Sequence, residues 1–436
     1  MRGNRRDTSI FRRRQARAKN RSVPIPGKMT CLALLLVAAG APEDARAEIV
    51  AGVARETFTL PARVPLAGYS RRHGQGSTGV HDALGVRALV LREGDTAAAL
   101  VSCDLLIVDE RLADAVRARL DAHRLFPRLI LVLAATHTHS GPGAYGMKFF
   151  EKTSMGHFNP KVFNALVDAM VHAVVQASED AGPVRIGYGT ALAPGLVKNR
   201  VEQAGLVDSQ LTVIGFYRPE AAEPFAVAVS FAAHPTTLGA WNMELSGDYP
   251  GVLMRELERR VPGATCLFFA GAVGDQAPEK SGEGFERAEH LGLPLAEQAA
   301  DVLAKMQTEA PGRLAAHQEP MALPPAQLRF KRLVIPRWIG ARFVDDDATL
   351  SVLSVGRTVF LGAPCDLAAS LGRRLAQAAE AKGLRPMVIG FASDYIGYCV
   401  PEALYHETQY ESSMAFNGPN TGDLIVERLI QMLGQP

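Results

Sequence analysis

Cysteine is scarce in this chain: five in 436 residues, at Cys31, Cys103, Cys266, Cys365 and Cys399. No two form a C-x-x-C pair, which excludes zinc ribbons and thioredoxin-like redox motifs. Cys103 and Cys266 sit in or beside apolar runs and read as buried thiols. Spacing alone cannot pair the cysteines into a disulfide. An internal repeat is also lacking, which excludes solenoids and propellers. Beyond the first 47 residues no apolar run approaches bilayer-spanning length. No transmembrane segment is expected, and peripheral contact with a membrane stays open. Basic charge is missing where a nucleic-acid binder needs it. Residues 1–28 hold ten Lys/Arg and one acid, a net +9, so the other 408 residues, with 37 basic against 44 acidic side chains, carry −7. A mildly acidic body does not bind phosphate backbones.

The basic end leads into Thr30–Ala41 (TCLALLLVAAGA), the length of a secretory h-region and too short to span a bilayer. Ala45-Arg46-Ala47 then supplies small residues two apart, as a cleavage site needs. Residues 1–47 therefore read as a basic leader and signal peptide, with the body exported to a periplasm or the medium. The competing reading is a disordered basic tail on a cytoplasmic protein. Cleavage after Ala47 leaves 36 Lys/Arg against 42 Asp/Glu, a net −6.

Residues 48–436 read as a single domain of the α/β class, with large mixed β-sheets flanked by helices. The predicted strands are Gly85–Leu91, Ala97–Cys103, Leu129–Ala134, Val184–Gly187, Leu211–Phe216, Phe225–Phe231, Thr265–Phe269, Leu350–Val355, Val359–Gly362 and Met387–Phe391. The predicted helices are Asp109–Leu125, Pro160–Ala177, Pro250–Arg260, Gly284–Lys305, Leu367–Ala381 and Asp423–Leu433. Several strands are near-continuous apolar runs, as expected when both faces are buried. Pro311–Asp347 lacks clear periodicity and reads as a connecting excursion or a weak β-region.

Reactive residues recur just beyond the apolar strands: Asp104, the run Thr136-His137-Thr138-His139-Ser140-Gly141, His234-Pro235, Gly274-Asp275, Cys365-Asp366 and Tyr395 to Tyr398. Sites in open α/β sheets form at the carboxyl ends of strands, where several strands can aim side chains into one crevice. That pattern favours an enzyme with its active site there. His137 and His139 are two apart, which places both on one side of an extended segment. Such a pair after a buried strand suits metal binding or a hydrogen-bonded cap. Taken alone, His234 decides nothing, Asp366 reads as a helix N-cap, and Tyr398 reads as packing.

Together, these stretches resemble the neutral/alkaline non-lysosomal ceramidases. Ala134–Gly143 (AATHTHSGPG) is similar to that family's signature. Gly79–Leu91, Ala99–Leu106, Asn199-Arg200, Phe231–Pro235 (FAAHP), Phe269–Pro278 (FAGAVGDQAP), Pro364–Leu375 and Tyr395–Pro419 resemble further family segments in the same order. The resemblance covers about Thr57 to Leu433 and implies the family's N-terminal catalytic domain without its C-terminal β-sandwich. It also implies one zinc ion (Zn2+) held by His137, His234, Asp366 and Tyr398. His139 then lies near the substrate amide, Arg200 in the substrate site and Tyr410 along the pocket. These three are the implied catalytic residues.

Two positions depart from the family pattern. The serine expected before Pro278 is Ala277, and the glutamate ligand is Asp366. Alanine cannot attack, so the resemblance implies a zinc-dependent amidohydrolase using zinc-activated water on a ceramide-like or other N-acyl lipid. A zinc hydrolase of a different small amide or ester, and a non-catalytic lipid- or zinc-binding relative, are the alternatives. Asp104 and Asp275 read as acceptors for histidine N–H groups or as strand-end caps. Met147–Phe158, with Phe149, Phe150, Met155 and Phe158, reads as an ordinary packed excursion or an apolar lid.

Overall fold

Each of the three main β-sheets is an antiparallel meander that ends in one parallel pair. The computed structural model describes residues 47–330, 333–340, 343–407 and 409–434. Cys31 and nearly all of the leader lie outside them. In chain order the larger elements are β1 (Val50–Thr57), β2 (Gly85–Glu93), β3 (Thr96–Cys103), α1 (Glu110–His123), β4 (Arg128–Ala135), α2 (Phe149–Met155), α3 (Pro160–Glu179), β5 (Arg185–Leu192), β6 (Gln210–Tyr217), β7 (Ala226–Phe231), α4 (Asp248–Arg260), β8 (Thr265–Ala270), α5 (Glu286–Ala304), β9 (Leu314–Ala322), β10 (Asp347–Val355), β11 (Thr358–Gly362), α6 (Ala369–Glu380), β12 (Arg385–Ile389) and α7 (Thr421–Met432).

The first sheet runs β4-β3-β2-β1, the second β8-β7-β6-β5 and the third β9-β10-β11-β12. The parallel pairs are β3 with β4, β7 with β8, and β11 with β12. A helix joins each pair (α1, α4 and α6), because a parallel neighbour needs a crossover where an antiparallel one needs only a turn. The sheets share one core. Leu89, Leu100 and Val132 of the first meet Ile214, Phe216 and Leu267 of the second and Leu353, Phe360 and Met387 of the third. Alternate residues of the first two sheets, such as Val90, Val101, Val213 and Phe268, face a second cluster that includes Leu166, Leu253 and Leu291 of the helices. The third sheet packs its other face, with Leu350 and Leu361, on Leu371 and Leu375 of α6 and Leu429 of α7. The near-continuous apolar strands are thus buried on both faces, and strand periodicity of two divides their residues between the layers.

One strand, β9, lies in the stretch that reads as a connecting excursion or a weak β-region, and another, β1, is not among the predicted strands. β9 pairs with β10 over nine residues, from Leu314↔Val355 to Ala322↔Asp347. As an edge strand it is only partly buried, so its apolar alternation is weak and Pro320 is tolerated. In β1, Gly52 interrupts the apolar run. A Cβ there would lie 2.2 Å from the Ala177 carbonyl oxygen of α3, so only glycine allows that helix so close.

Candidate metal centre

The carboxyl ends of the parallel strands meet at one place and are stitched together. The Gly390 N–H donates to the Ala270 carbonyl at 2.8 Å, and the Ala135 N–H to the Phe391 carbonyl at 3.3 Å. His137 follows β4, His234 follows β7, Asp366 follows β11, and Tyr395 and Tyr398 follow β12.

Three imidazoles converge there. His137 Nε2 lies 2.9 Å from His234 Nε2, and His139 Nε2 lies 3.0 Å from His234 Nε2 and 3.3 Å from His137 Nε2. His137 Nδ1 faces the Leu106 carbonyl at 2.6 Å and His234 Nδ1 the Val273 carbonyl at 3.4 Å. A nitrogen facing a carbonyl carries the proton, so Nε2 of these two rings presents a lone pair. Burial pushes His137 down to about 3 and holds His139 and His234 well below the usual histidine range. Two neutral acceptors 2.9 Å apart repel unless a cation lies between them. Nitrogens at 2.9–3.3 Å suit a shared metal ion bound to each imidazole at about 2 Å. Among the described residues these three histidines are the group able to hold a metal.

His137 does not continue the strand, contrary to the extended geometry read from the H-x-H spacing. Its φ is +62°, and it stacks on Phe391, itself at φ +54°, with centroids 3.7 Å apart. Two non-glycine residues in the left-handed region cost stability and persist where surrounding contacts over-determine them. His139 is pressed against Gly68: a Cβ at that residue, whose φ is +104°, would lie 2.5 Å from its Nδ1. That nitrogen has no hydrogen-bond partner, unlike Nδ1 of the other two rings.

Asp366 is not a helix N-cap. It pairs with Tyr398 in a short parallel ladder, Asp366–Leu367 against Tyr398–Cys399. The α6 N-terminal amide of Ala369 is taken instead by Asp275 Oδ1 at 2.8 Å. Asp366 Oδ1 lies 3.7 Å from His137 Nε2 and 3.7 Å from His234 Nδ1, buried and without a hydrogen-bond partner. Burial raises its carboxyl to about 7, against the lowering effect of the Tyr395 hydroxyl and the Arg200 charge. Arg200 Nη2 donates to the Tyr398 hydroxyl at 2.9 Å and to the Gly274 carbonyl at 2.9 Å, and its Nε pairs with Glu411 at 2.9 Å. Tyr410 stands edge-on to Tyr398, with centroids 5.7 Å apart.

A cavity of about 260 Å³ opens from this cluster. His137, His139, Asp366, Tyr398 and Tyr410 line it at one end, and Leu106, Ile107, Phe150, Phe343, Met414 and Phe416 supply apolar wall.

Residues 50–318 match the sequence model of a family described as neutral/alkaline non-lysosomal ceramidase, N-terminal. The chain belongs to this ceramidase family. It is similar to the neutral ceramidase of Pseudomonas aeruginosa, with 29% identity over 280 residues, 58% of this chain and 41% of that one. It is also similar to the neutral ceramidase of Mycobacterium tuberculosis, with 30% identity over 246 residues, 50% of this chain and 38% of that one. These matches span about two-fifths of the relatives' length. In fold it resembles the crystal structure of the Pseudomonas aeruginosa neutral ceramidase: the TM-score is 0.80 at 22% identity, covering 89% of this chain and 74% of that one. A ceramidase complexed with C2 gives the same score at 21% identity, with 89% and 75% covered. The matched stretch holds His137, His139, Arg200 and His234. Asp366, Tyr398 and Tyr410 lie beyond it and reach the site through the fold.

Within this ceramidase domain Ala277 lies in a short strand, Gln276–Pro278, laddered with Val197–Asn199. It is not among the cavity-lining residues. Asp104 and Asp275 do not touch the histidines. Asp104 accepts from the Gly85 N–H at 3.0 Å, and Asp275 accepts from Asn199 and Gln276 besides Ala369. Backbone carbonyls take the role proposed for them, and no side-chain pattern announces a carbonyl. The Met147–Phe158 stretch divides: Met155 is buried, Phe150 lines the cavity, and Phe149 is exposed. Cys365 packs in the core of the third sheet, and all four described cysteines are buried and free. Sequence reasoning did not single out Phe391, Gly68 and Leu106, which hold the histidines by ring stacking and backbone contact.

Proposed function

We propose that this protein is a zinc-dependent amidohydrolase that cleaves the N-acyl amide of a ceramide-like or related N-acyl lipid. The observation that carries the reading is the convergence of His137, His139 and His234 beside the unpartnered Asp366 oxygen at the end of a largely apolar cavity. His137, His234 and Asp366 would hold the ion, with the Tyr398 phenol beside them. Zinc held there supplies Lewis acidity to a scissile carbonyl and to an attacking water.

The chain's own residues do the rest. Arg200, fixed by Glu411 and the Gly274 carbonyl, places positive charge and the Tyr398 hydroxyl where an oxyanion develops. His139 is partly exposed, neutral and without a hydrogen-bond partner at Nδ1. It accepts a proton from the attacking water and delivers it to the leaving amine. Phe150, Met414 and Phe416 exclude bulk water and contact the acyl chain, and Tyr410 contacts the amine side. Water as nucleophile agrees with alanine at position 277.

The Nε2 distances favour a second reading of one residue, with His139 as a third nitrogen donor. Zinc retained in His139→Ala means proton carrier; zinc lost means ligand.

Exposed Phe149 stands edge-on to Phe343, an exposed residue of the cavity wall, and this apolar pair supports uptake of substrate from a lipid surface by peripheral contact. No helix of the described residues is long and apolar enough to cross a membrane. Export after cleavage of the leader is part of the proposal and is checked by the N-terminal mass of the mature protein.

The test is zinc content of the purified protein together with turnover of a fluorescent ceramide and a panel of short acyl-amides, with His137→Ala as control. Zinc with ceramide turnover that the control loses supports the reading. Turnover of short amides alone supports a different small-amide hydrolase. Zinc without turnover means a binding protein.

A further inference from the structure

Asp366 is held unevenly. Its Oδ2 accepts the Tyr395 hydroxyl at 2.8 Å, while its buried Oδ1 has no hydrogen-bond partner and faces the histidines at 3.7 Å. A carboxylate with both oxygens free can turn about its terminal bond; with one oxygen pinned, the other points in a fixed direction.

Tyr395 is itself well placed to do the pinning. The Asp394 carboxylate accepts its backbone N–H at 2.7 Å. The next residue, Ile396, donates its N–H to the Pro364 carbonyl, two residues before Asp366. The Asp366 N–H in turn donates to the Gly397 carbonyl. The backbones carrying the phenol and the carboxylate are therefore tied on both sides of their contact. The Tyr395 ring stacks on Phe391 at 6.1 Å, and Phe391 stacks on His137. That packing holds the ring whether or not it bears a hydroxyl.

We propose that Tyr395 is a positioning residue of the metal centre, its hydroxyl holding Asp366 so that Oδ1 is presented to the ion. The inference rests on the metal reading above and adds a residue that touches no histidine. Partners of this kind typically change metal affinity by about 10–100-fold when removed.

The experiment titrates Zn2+ against a chromophoric chelator into metal-free wild type, Tyr395→Phe, Asp366→Ala and the double variant, with visible spectra of the Co2+ forms. Tyr395→Phe is expected to weaken Zn2+ binding about 10–100-fold, alter the Co2+ spectrum and leave the metal-free melting temperature near that of wild type. It is expected to weaken binding no further in the Asp366→Ala background, because it acts through that carboxylate. Unchanged affinity and spectrum, or an equal loss in both backgrounds, would overturn the inference and leave the metal reading standing. A wild-type chain that takes up no metal overturns both.

Discussion

At the histidine end of the cavity every ring is held from behind. Carbonyls of Leu106 and Val273 fix His137 and His234, Phe391 lies flat on His137, and Gly68 lets the backbone close on His139. At the apolar mouth the restraints are looser. Phe149 and Phe343 meet edge-on at 5.7 Å with both rings exposed, and the ion pair of Lys148 with Asp345 at 2.5 Å ties the start of α2 to the loop beyond. One end is over-determined for a fixed chemistry, while the other can adapt to the shape of its ligand. Variants at the first should therefore change metal content and rate, and variants at the second should change which lipid is used.

The largest effect is expected for His137→Ala. Zinc content and amide turnover both fall by more than the roughly 10–100-fold typical of outer metal partners, read by metal analysis and a fluorescent ceramide assay. Next comes Arg200→Met, which strands the Glu411 carboxylate and removes charge from the oxyanion position. Its kcat falls by about 10²–10³ with zinc retained. Phe391→Ala removes a fully buried ring from the histidine end and destabilises the fold by about 3–5 kcal/mol, read by urea unfolding.

A pH effect follows in size. Burial raises Asp366 and Asp394 to about 7 in the folded metal-free chain. Both carboxyls are protonated when folded and ionised when unfolded, so stability is full below about pH 4 and is lost as pH rises to about 7. Melting curves of metal-free protein should slope downward across that window, and Asp394→Asn should flatten part of the slope. Smallest is Phe149→Ser at the mouth. Stability changes by no more than about 0.5 kcal/mol, while KM rises for lipid presented in vesicles and not for short soluble amides.

Much of this arrangement was legible in the sequence because strands buried on both faces are written as unbroken apolar runs. The reactive residues stood just past those runs, at His137, His234 and Asp366. The edge strand β9 was legible only as a weak β-region and the Gly52-interrupted β1 not at all, since half-exposed strands and close helix approach leave no apolar alternation. The left-handed turn at His137 was hidden too, because histidine carries no marker for positive φ as glycine does. Taken alone, Asp366 reads as a cap, and only the resemblance points to a ligand; Asp275, from another loop, takes the α6 amide instead.

The most direct measurement is an anomalous-scattering map at the zinc edge on crystals of the protein purified without added metal. One peak per chain is the expected result, within bonding distance of His137 and His234 Nε2 and with Asp366 turned towards the ion. Those ring nitrogens touching only one another or water, with no peak between them, would contradict it.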